Sequence, residues 1–353
     1  MAIVRSLTAI DLFCGAGGLS FGLRQAGVSV VAGVDIDPSC EYPFEANLDA
    51  PFLLKDVYDL TAEHLDALWG DAETRALVGC APCRPFSPYR RGTDTSHEKD
   101  WPLLSEFGRL VRECRPELVT MENVPRIGSS EVFRNFVRDL EDAGYHVDWR
   151  SCNCLDFGLA QRRRRLVLVA SLLGPIEVPQ GSHEGSPRTV RDEIGGLPSI
   201  PAGEACADDP LHKSRALSDL NLRRIRASKP GGTWEQWPVA LRAKCHQKAS
   251  GATFRNVYAR MEWAKPSPTI TTLSHNFGTG RFGHPEQDRS ISLREAAMLQ
   301  GFPRSYKFAR AEAPVHFQRF GRLIGNAVPP PLGQAVGEAL MAHVESDDRE
   351  LVA

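Results

Sequence analysis

The stretch Leu7-Thr8-Ala9-Ile10-Asp11-Leu12-Phe13-Cys14-Gly15-Ala16-Gly17-Gly18 decides the fold. Leu7–Phe13 reads as a buried strand, the glycines as the tight turn that ends it, and Leu19–Ala26 as the amphipathic helix that follows. A second strand, Val28–Val34, ends on Asp35, 20 positions after Gly15. At that spacing a carboxylate takes the ribose hydroxyls of an adenosine-type cofactor. Asp56, after Leu53-Leu54, is placed to accept from an adenine amino group. No lysine follows the glycines, so a Walker-type phosphate loop is excluded. Taken alone, the motif also reads as a plain glycine turn flanked by solvated acids.

Working outward, further strands are expected at Ala76–Cys80, Leu118–Glu122, His146–Arg150 and Leu166–Ala170. Helices are expected at Leu103–Arg115 and Val132–Ala143, the latter closed by Gly144 at C′. Strand–helix alternation at this spacing implies an α/β fold with a mostly parallel sheet and helices on both faces. Such a sheet binds ligands at the carboxyl ends of its strands. After about residue 172 the pattern changes: Gly174 to Gly251 is rich in proline and glycine and weakly periodic, the composition of a second, smaller domain. Order returns with a helix over Ser292–Gln300, where Ser292 and Glu295 form a capping box and Gly301-Phe302-Pro303 stops the run. A last helix is expected over Leu332–Val344.

The 353 residues fit one large or two modest domains, and 42% hydrophobic with 24% charged residues excludes general disorder. A net charge of −2 argues against a simple coat on nucleic acid. That sum hides a segregation. Segment 35–75 carries eleven acidic residues against Lys55 and Arg75; segment 211–260 carries eleven basic residues against Asp219 and Glu235. A chain so divided handles two ligands of different character. Nine cysteines, an odd number in a long chain, imply free thiols in a reducing compartment. The first residues lack a signal-peptide core, and the longest apolar run, Leu166 to Leu173, falls far short of the ~20 residues a membrane helix needs. The expectation is a soluble, cytoplasmic protein without a membrane partner.

Three more motifs sit just past expected strands. In Gly79-Cys80-Ala81-Pro82-Cys83-Arg84-Pro85-Phe86-Ser87, prolines stiffen the chain on both sides of Cys83, and Arg84, Arg90 and Arg91 favour its thiolate, which suits a nucleophile. Cys80 and Cys83 also read as a redox pair, or with Cys152-x-Cys154 as a zinc site. Pro85 fits the first poorly, and the C-x-C spacing is tight for the second. Met121-Glu122-Asn123-Val124-Pro125 offers a carboxylate toward the Cys83 loop. In Gln161-Arg162-Arg163-Arg164-Arg165, a strand would put Arg163 and Arg165 on one face.

In this order the motifs resemble those of the cytosine-5 DNA methyltransferase family, of the bacterial restriction–modification type. DLFCGAGGLS resembles its cofactor loop, APCRPFS its nucleophile loop, MENV its base-binding glutamate, QRRRR its Gln-x-Arg-x-Arg, and SLREAAMLQGFP and GNAVPPPL its last two blocks. The family usually has Pro-Pro before the cysteine, Gln after it, and Pro before the Gln-x-Arg-x-Arg; here Ala81, Arg84 and Ala160 stand there.

The resemblance implies a Rossmann-like S-adenosylmethionine-dependent methyltransferase sheet with a smaller target-recognition domain. Residues 1–172 and 318–353 would form a discontinuous catalytic domain, and 173–317 the target-recognition domain and hinge. Cys83 would add to cytosine C6, Glu122 would hold N3, and Arg165, with Arg163 behind it, would fix the ring carbonyl and nucleophile loop. The base must leave the stack for this chemistry, and Tyr89–Lys99 would form a lid over it. S-adenosyl-L-methionine would be held by Phe13, Gly15, Gly17, Gly18, Leu19, Asp35, Ile36, Asp56, Val57, Asn326 and Val328, with no metal. The implied partner is double-stranded DNA gripped by segment 211–260, where Arg223, Arg224, Arg226, Trp234, Arg242 and Arg255 are available to contact it. A monomer with a restriction endonuclease as its counterpart completes the expectation. A tRNA cytosine-5 methyltransferase and a non-catalytic DNA-binding protein are the alternatives.

Overall fold

The computed structural model describes residues 6–82, 102–248, 250–251 and 253–352. The chain forms two compact units, one of residues 1–157, 164–182 and 328–353, the other of 158–163 and 183–327. Residues 173–182 thus lie with the first unit, and 158–163 and 318–327 with the second, a finer interleaving than boundaries at 172 and 318.

The first unit begins with β1 (Leu7–Leu12), α1 (Gly18–Gln25), β2 (Ser29–Asp35), α2 (Glu41–Leu48), β3 (Phe52–Leu54), α3 (Ala62–Trp69) and β4 (Thr74–Gly79). It continues with α4 (Pro102–Cys114), β5 (Leu118–Asn123), α5 (Glu131–Asp142), β6 (His146–Asn153) and β7 (Arg164–Ser171). The seven strands are ordered β3-β2-β1-β4-β5-β7-β6. β1 pairs parallel with β2 and β4, β2 with β3, and β4 with β5. β7 runs antiparallel to both neighbours, β5 and β6. The central strands are buried along their length, as expected where helices cover both faces. Phe107, Phe133 and Phe136 pack against Ile10, Leu77, Val119 and Leu168 in one hydrophobic core cluster. α5 ends as its sequence indicates: Gly144 takes φ +91°, its N–H donates to the Glu141 carbonyl, and Tyr145 N–H donates to Leu140.

The register aligns the carboxyl ends. Leu12 stands opposite Val34 and Gly79, Asp35 opposite Leu54, and Gly79 opposite Met121. Residues 13–18, 35–36, 55–57, 80–82 and 122–123 therefore emerge at one sheet edge. Because β7 is antiparallel, its first residues reach that same edge beside Glu122 and Asn123.

The second unit holds α6 (Val190–Ile194), β8 (Ala205–Cys206), β9 (Asp209–Lys213), α7 (Asp219–Ala227), α8 (Leu293–Leu299) and α9 (Phe317–Asn326). The capping box is in place: Ser292 Oγ accepts from Glu295 N–H at 3.0 Å, and the Glu295 carboxylate accepts from Ser292 N–H at 2.6 Å. The last helix, α10 (Pro330–Val352), returns to the first unit and is longer than the expected Leu332–Val344. Pro330 and Pro331 open it, where the missing N–H groups have no intrahelical partner to lose. α10 lies against α1 through a glycine seam: a Cβ on Gly22 would stand 2.3 Å from the Pro330 carbonyl oxygen, and one on Gly333 2.9 Å from that of Leu19.

Candidate active site

β1 is forced to turn sharply by three positive φ angles, 58° at Phe13, 54° at Gly15 and 79° at Gly17. Gly17 caps α1, and Cys14 N–H donates to the Val34 carbonyl, tying the loop to the end of β2. Asp35 closes the turn: one carboxylate oxygen accepts from Gly15 N–H and the other from Asp37 N–H, both at 2.9 Å. Burial raises its pKa, and those backbone donors pull against the shift. Space beside Gly15 is open: among the described residues, its chain neighbours aside, no atom lies within 4 Å of where its Cβ would be. Next to Asp35, Ile36 is 66% exposed, and Leu54, paired with Asp35, is 59% exposed. An apolar side chain so bare beside a half-buried carboxylate suits a flat ring over it and a diol under it. Asp56 caps a short 3-10 turn, accepting from Tyr58 N–H at 3.2 Å, while Val57 is buried below it.

Leu19 and Val328 line a small cavity of about 10 Å³ with Glu122, Thr120, Val167, Leu332, Gly333 and Val336. Gly18 opens α1. Asn326 ends α9, exposed, in the second unit. The structure thus gathers Phe13 through Leu19, Asp35, Ile36, Asp56, Val57 and Val328 in one unit, while Asn326 belongs to the other.

Glu122 is 5% exposed on β5. Arg165 Nε stands 2.7 Å from its Oε1, and the Cys80 thiol donates to its Oε2 at 2.9 Å. Asn123 Nδ2 donates to the Ala81 carbonyl at 3.0 Å, and Asn123 Oδ1 accepts from Val124 N–H at 2.9 Å. The MENV residues therefore hold the chain that leads into Cys83. Cys83 itself, with Arg84, Arg90, Arg91 and the expected lid Tyr89–Lys99, lies outside the described residues.

The pairing of Arg163 with Arg165 on one strand face does not survive. β7 starts at Arg164, and Arg163 belongs to the second unit, buried, where its guanidinium donates to the carbonyls of Ile270, Gly325 and Ala327. Gln161 sits beside it, donating to the Leu299 carbonyl and accepting from Ile270 N–H, both at 2.9 Å. The QRRRR block is thus a splice between units: Gln161 and Arg163 fasten the GNAV segment and its neighbours, and Arg165 serves Glu122.

Sequence reasoning missed Asp11 and Cys80. Asp11 is 1% exposed, accepts from Ser20 Oγ at 2.5 Å, and has its pKa pushed up to about 7 by burial, with Asp35 adding to the rise and Ser20 opposing it. Its position inside a strand of apolar residues gave only a weak signal. Among the described residues no cluster of His, Cys, Asp and Glu is arranged to hold a metal, and Cys80 is engaged with Glu122. No helix among them is long and apolar enough to cross a membrane.

The segregated basic region sorts cleanly. Arg224 is buried over the rings of Trp237 and Tyr258 and donates to the Leu241 carbonyl at 2.9 Å. Arg242 donates to the carbonyls of Trp237 and Glu235. Trp234 is buried, stacked on His246, and its Nε1 donates to the Phe254 carbonyl at 2.9 Å. These residues build a small aromatic core. Arg223, Arg226, Lys229, Lys244, Lys248 and Arg255 are exposed, as are Val239 and Phe254.

The C-5 cytosine-specific DNA methylase family matches residues 7–342. The Type II methylase M.HgiDII of Herpetosiphon aurantiacus is 48% identical over 340 residues, 95% of each chain. The Type II methyltransferase M1.HphI of Haemophilus parahaemolyticus is 32% identical over 345 residues, 95% of this chain and 87% of the relative. Among solved structures, the S. pombe Dnmt2 methyltransferase superposes with TM-score 0.65 at 18% identity, covering 96% of this chain and 99% of that one, a likeness of fold. The chain belongs to the C-5 cytosine-specific DNA methylase family.

Proposed function

We propose that this chain transfers a methyl group from S-adenosyl-L-methionine to C5 of a cytosine flipped out of a specific duplex DNA sequence, through a covalent Cys83–C6 bond. The observation that carries the reading is Glu122, a buried carboxylate held from both sides at the sheet edge beside the segment leading into Cys83.

The residues present fit the donor. The open space at Gly15, the Asp35 carboxylate, the bare face of Ile36 and the Asp56 turn suit methionine, ribose and adenine in that order, and the acidic segment 35–75 favours a cation. Bound there, the donor supplies an electrophilic methyl on a positively charged sulfur. Cytosine C5 is a weak nucleophile until C6 is attacked. Cys83, as thiolate, forms the bond to C6, and the displaced electron pair moves into the ring toward N3. Glu122 holds a proton at N3 as that charge builds, and Arg165 keeps Glu122 in register and faces the ring carbonyl. Loss of the C5 proton to water then lets Cys83 leave. Arg163 positions the GNAV segment instead of touching the base.

The second unit is the target-recognition domain in this reading. Its exposed Arg223, Arg226, Lys244, Lys248 and Arg255 supply phosphate affinity, and Phe254 and Val239 are apolar tips that reach bases. We place the protein in the cytoplasm as a monomer, the modification counterpart of a restriction endonuclease. Labelled methyl donor offered with duplex DNA and with tRNA tests the substrate; labelling of tRNA alone overturns it. Duplex carrying 5-fluorocytosine should trap the protein covalently, and Cys83→Ser should abolish the adduct. Bisulfite sequencing of DNA from expressing cells reads out the site.

A further inference from the structure

We infer that Cys80 is a positioning residue for Glu122, its thiol holding one carboxylate oxygen so that the other side chain on that carboxylate, Arg165, and the base share a fixed geometry. The inference rests on the role proposed for Glu122.

Three contacts fix where the thiol points. Gly79 ends β4 so close to β1 that a Cβ there would stand 2.5 Å from the Leu12 carbonyl oxygen. Cys80 N–H donates to that same carbonyl at 3.4 Å. One residue on, the Ala81 carbonyl is gripped by Asn123. With its backbone held on β1 and β5 at once, Cys80 stands beside Glu122, and its Sγ lies 2.9 Å from Oε2, close for a thiol donor.

The opposite oxygen has Arg165 at 2.7 Å. Among the described residues the cavity against Glu122 brings no other charge: Leu19, Thr120, Val167, Val328, Leu332 and Val336 are uncharged. Cys80 and Arg165 are therefore the polar grip on this carboxylate among the described residues that line or touch it. The guanidinium donates charge along one edge. The thiol donates a proton without charge on the other, so Glu122 is oriented without being saturated. Because the bond needs the proton to stay on sulfur, Cys80 is a holder and not a second nucleophile.

The test compares Cys80→Ala, Cys80→Ser and Glu122→Gln in the full chain, with urea midpoints checked for each. Cys80→Ala should lower kcat about tenfold and leave KM for donor and duplex within about twofold, the split expected when a group is held off its working position and binding is intact. Cys80→Ser, which keeps a donor, should restore kcat. Wild-type kcat in Cys80→Ala overturns the inference, as does an equal loss of kcat in both Cys80 variants, which marks a packing role. Near-wild-type turnover in Glu122→Gln overturns the role of Glu122 itself; an inactive Glu122→Gln beside an unaffected Cys80→Ala overturns the Cys80 inference alone.

Discussion

Glu122 in the first unit and Glu295 in the second are both buried carboxylates paired with arginine, and they do opposite work. Glu295 receives Arg289 NH1 and NH2, one on each oxygen at 2.7 Å, plus Ser292 N–H at 2.6 Å, with His284 Nε2 at 3.7 Å. Burial alone would raise its pKa, but the Arg289 hydrogen bonds and charge outweigh it and the net shift is downward. His284 is pushed down to about 4, chiefly by burial, and its Nδ1 accepts from Glu286 and Gln287 N–H. Three hydrogen bonds, two of them from one guanidinium, hold both oxygens, so the cluster is a rivet. Among the described residues Glu122 has one arginine contact, through Nε, and one thiol, beside a cavity. An under-filled carboxylate can still take a ligand; a filled one can only hold a fold together.

Glu122→Gln should cut methyl transfer by about 10²–10⁴-fold with the urea midpoint little changed, measured as single-turnover rate on duplex DNA. Glu295→Ala should do the reverse, costing about 3–5 kcal/mol of stability by leaving Arg289 buried and unpaired, read by denaturant melts, while correctly folded molecules keep their turnover. Asp11, a third buried carboxylate, answers to pH. Its native pKa near 7 exceeds the unfolded value of 3.8, so the native state binds the extra proton and stability falls as pH rises from about 4 to 7. Asp11→Asn should remove up to about 4 kcal/mol of that slope, seen as wild-type and variant melting curves that converge toward low pH. At the small end, Arg255→Ala should make the salt dependence of duplex binding shallower by about one unit of slope, with stability unaltered. Arg224→Ala should instead loosen the aromatic core it covers.

The glycine loop, Asp35 and the Ser292–Glu295 box were legible because each couples residue type to a local backbone need that the chain carries in a few positions. The antiparallel course of β7 was not, since an apolar run reads alike in either direction. α2 went unread because Pro43 looks like a breaker, although in a first turn it removes no bond. α3 is capped by Thr61 with His64 in place of the usual Glu or Gln. Arg163 was misplaced for a different reason: four arginines in a row share a composition, and only the strand start at Arg164 sends neighbouring side chains into different units. The spacing offers Cys80 only as half of a C-x-x-C pair or of a zinc site; nothing local points to Glu122, 42 residues away on β5, to which its thiol donates.

The glycine seam between α1 and α10 has a consequence for how the molecule is made. The helix that backs the glycine loop finds its tightest neighbour some three hundred residues later, in Pro330 and Gly333. On the ribosome, the loop and β1–β5 emerge long before that neighbour exists, so α1 keeps an uncovered face while the whole second unit is being synthesised. The first unit to begin is the last to be finished. Widening the seam with Gly333→Ala would then show first as slowed maturation in the cell, ahead of any loss in the finished enzyme.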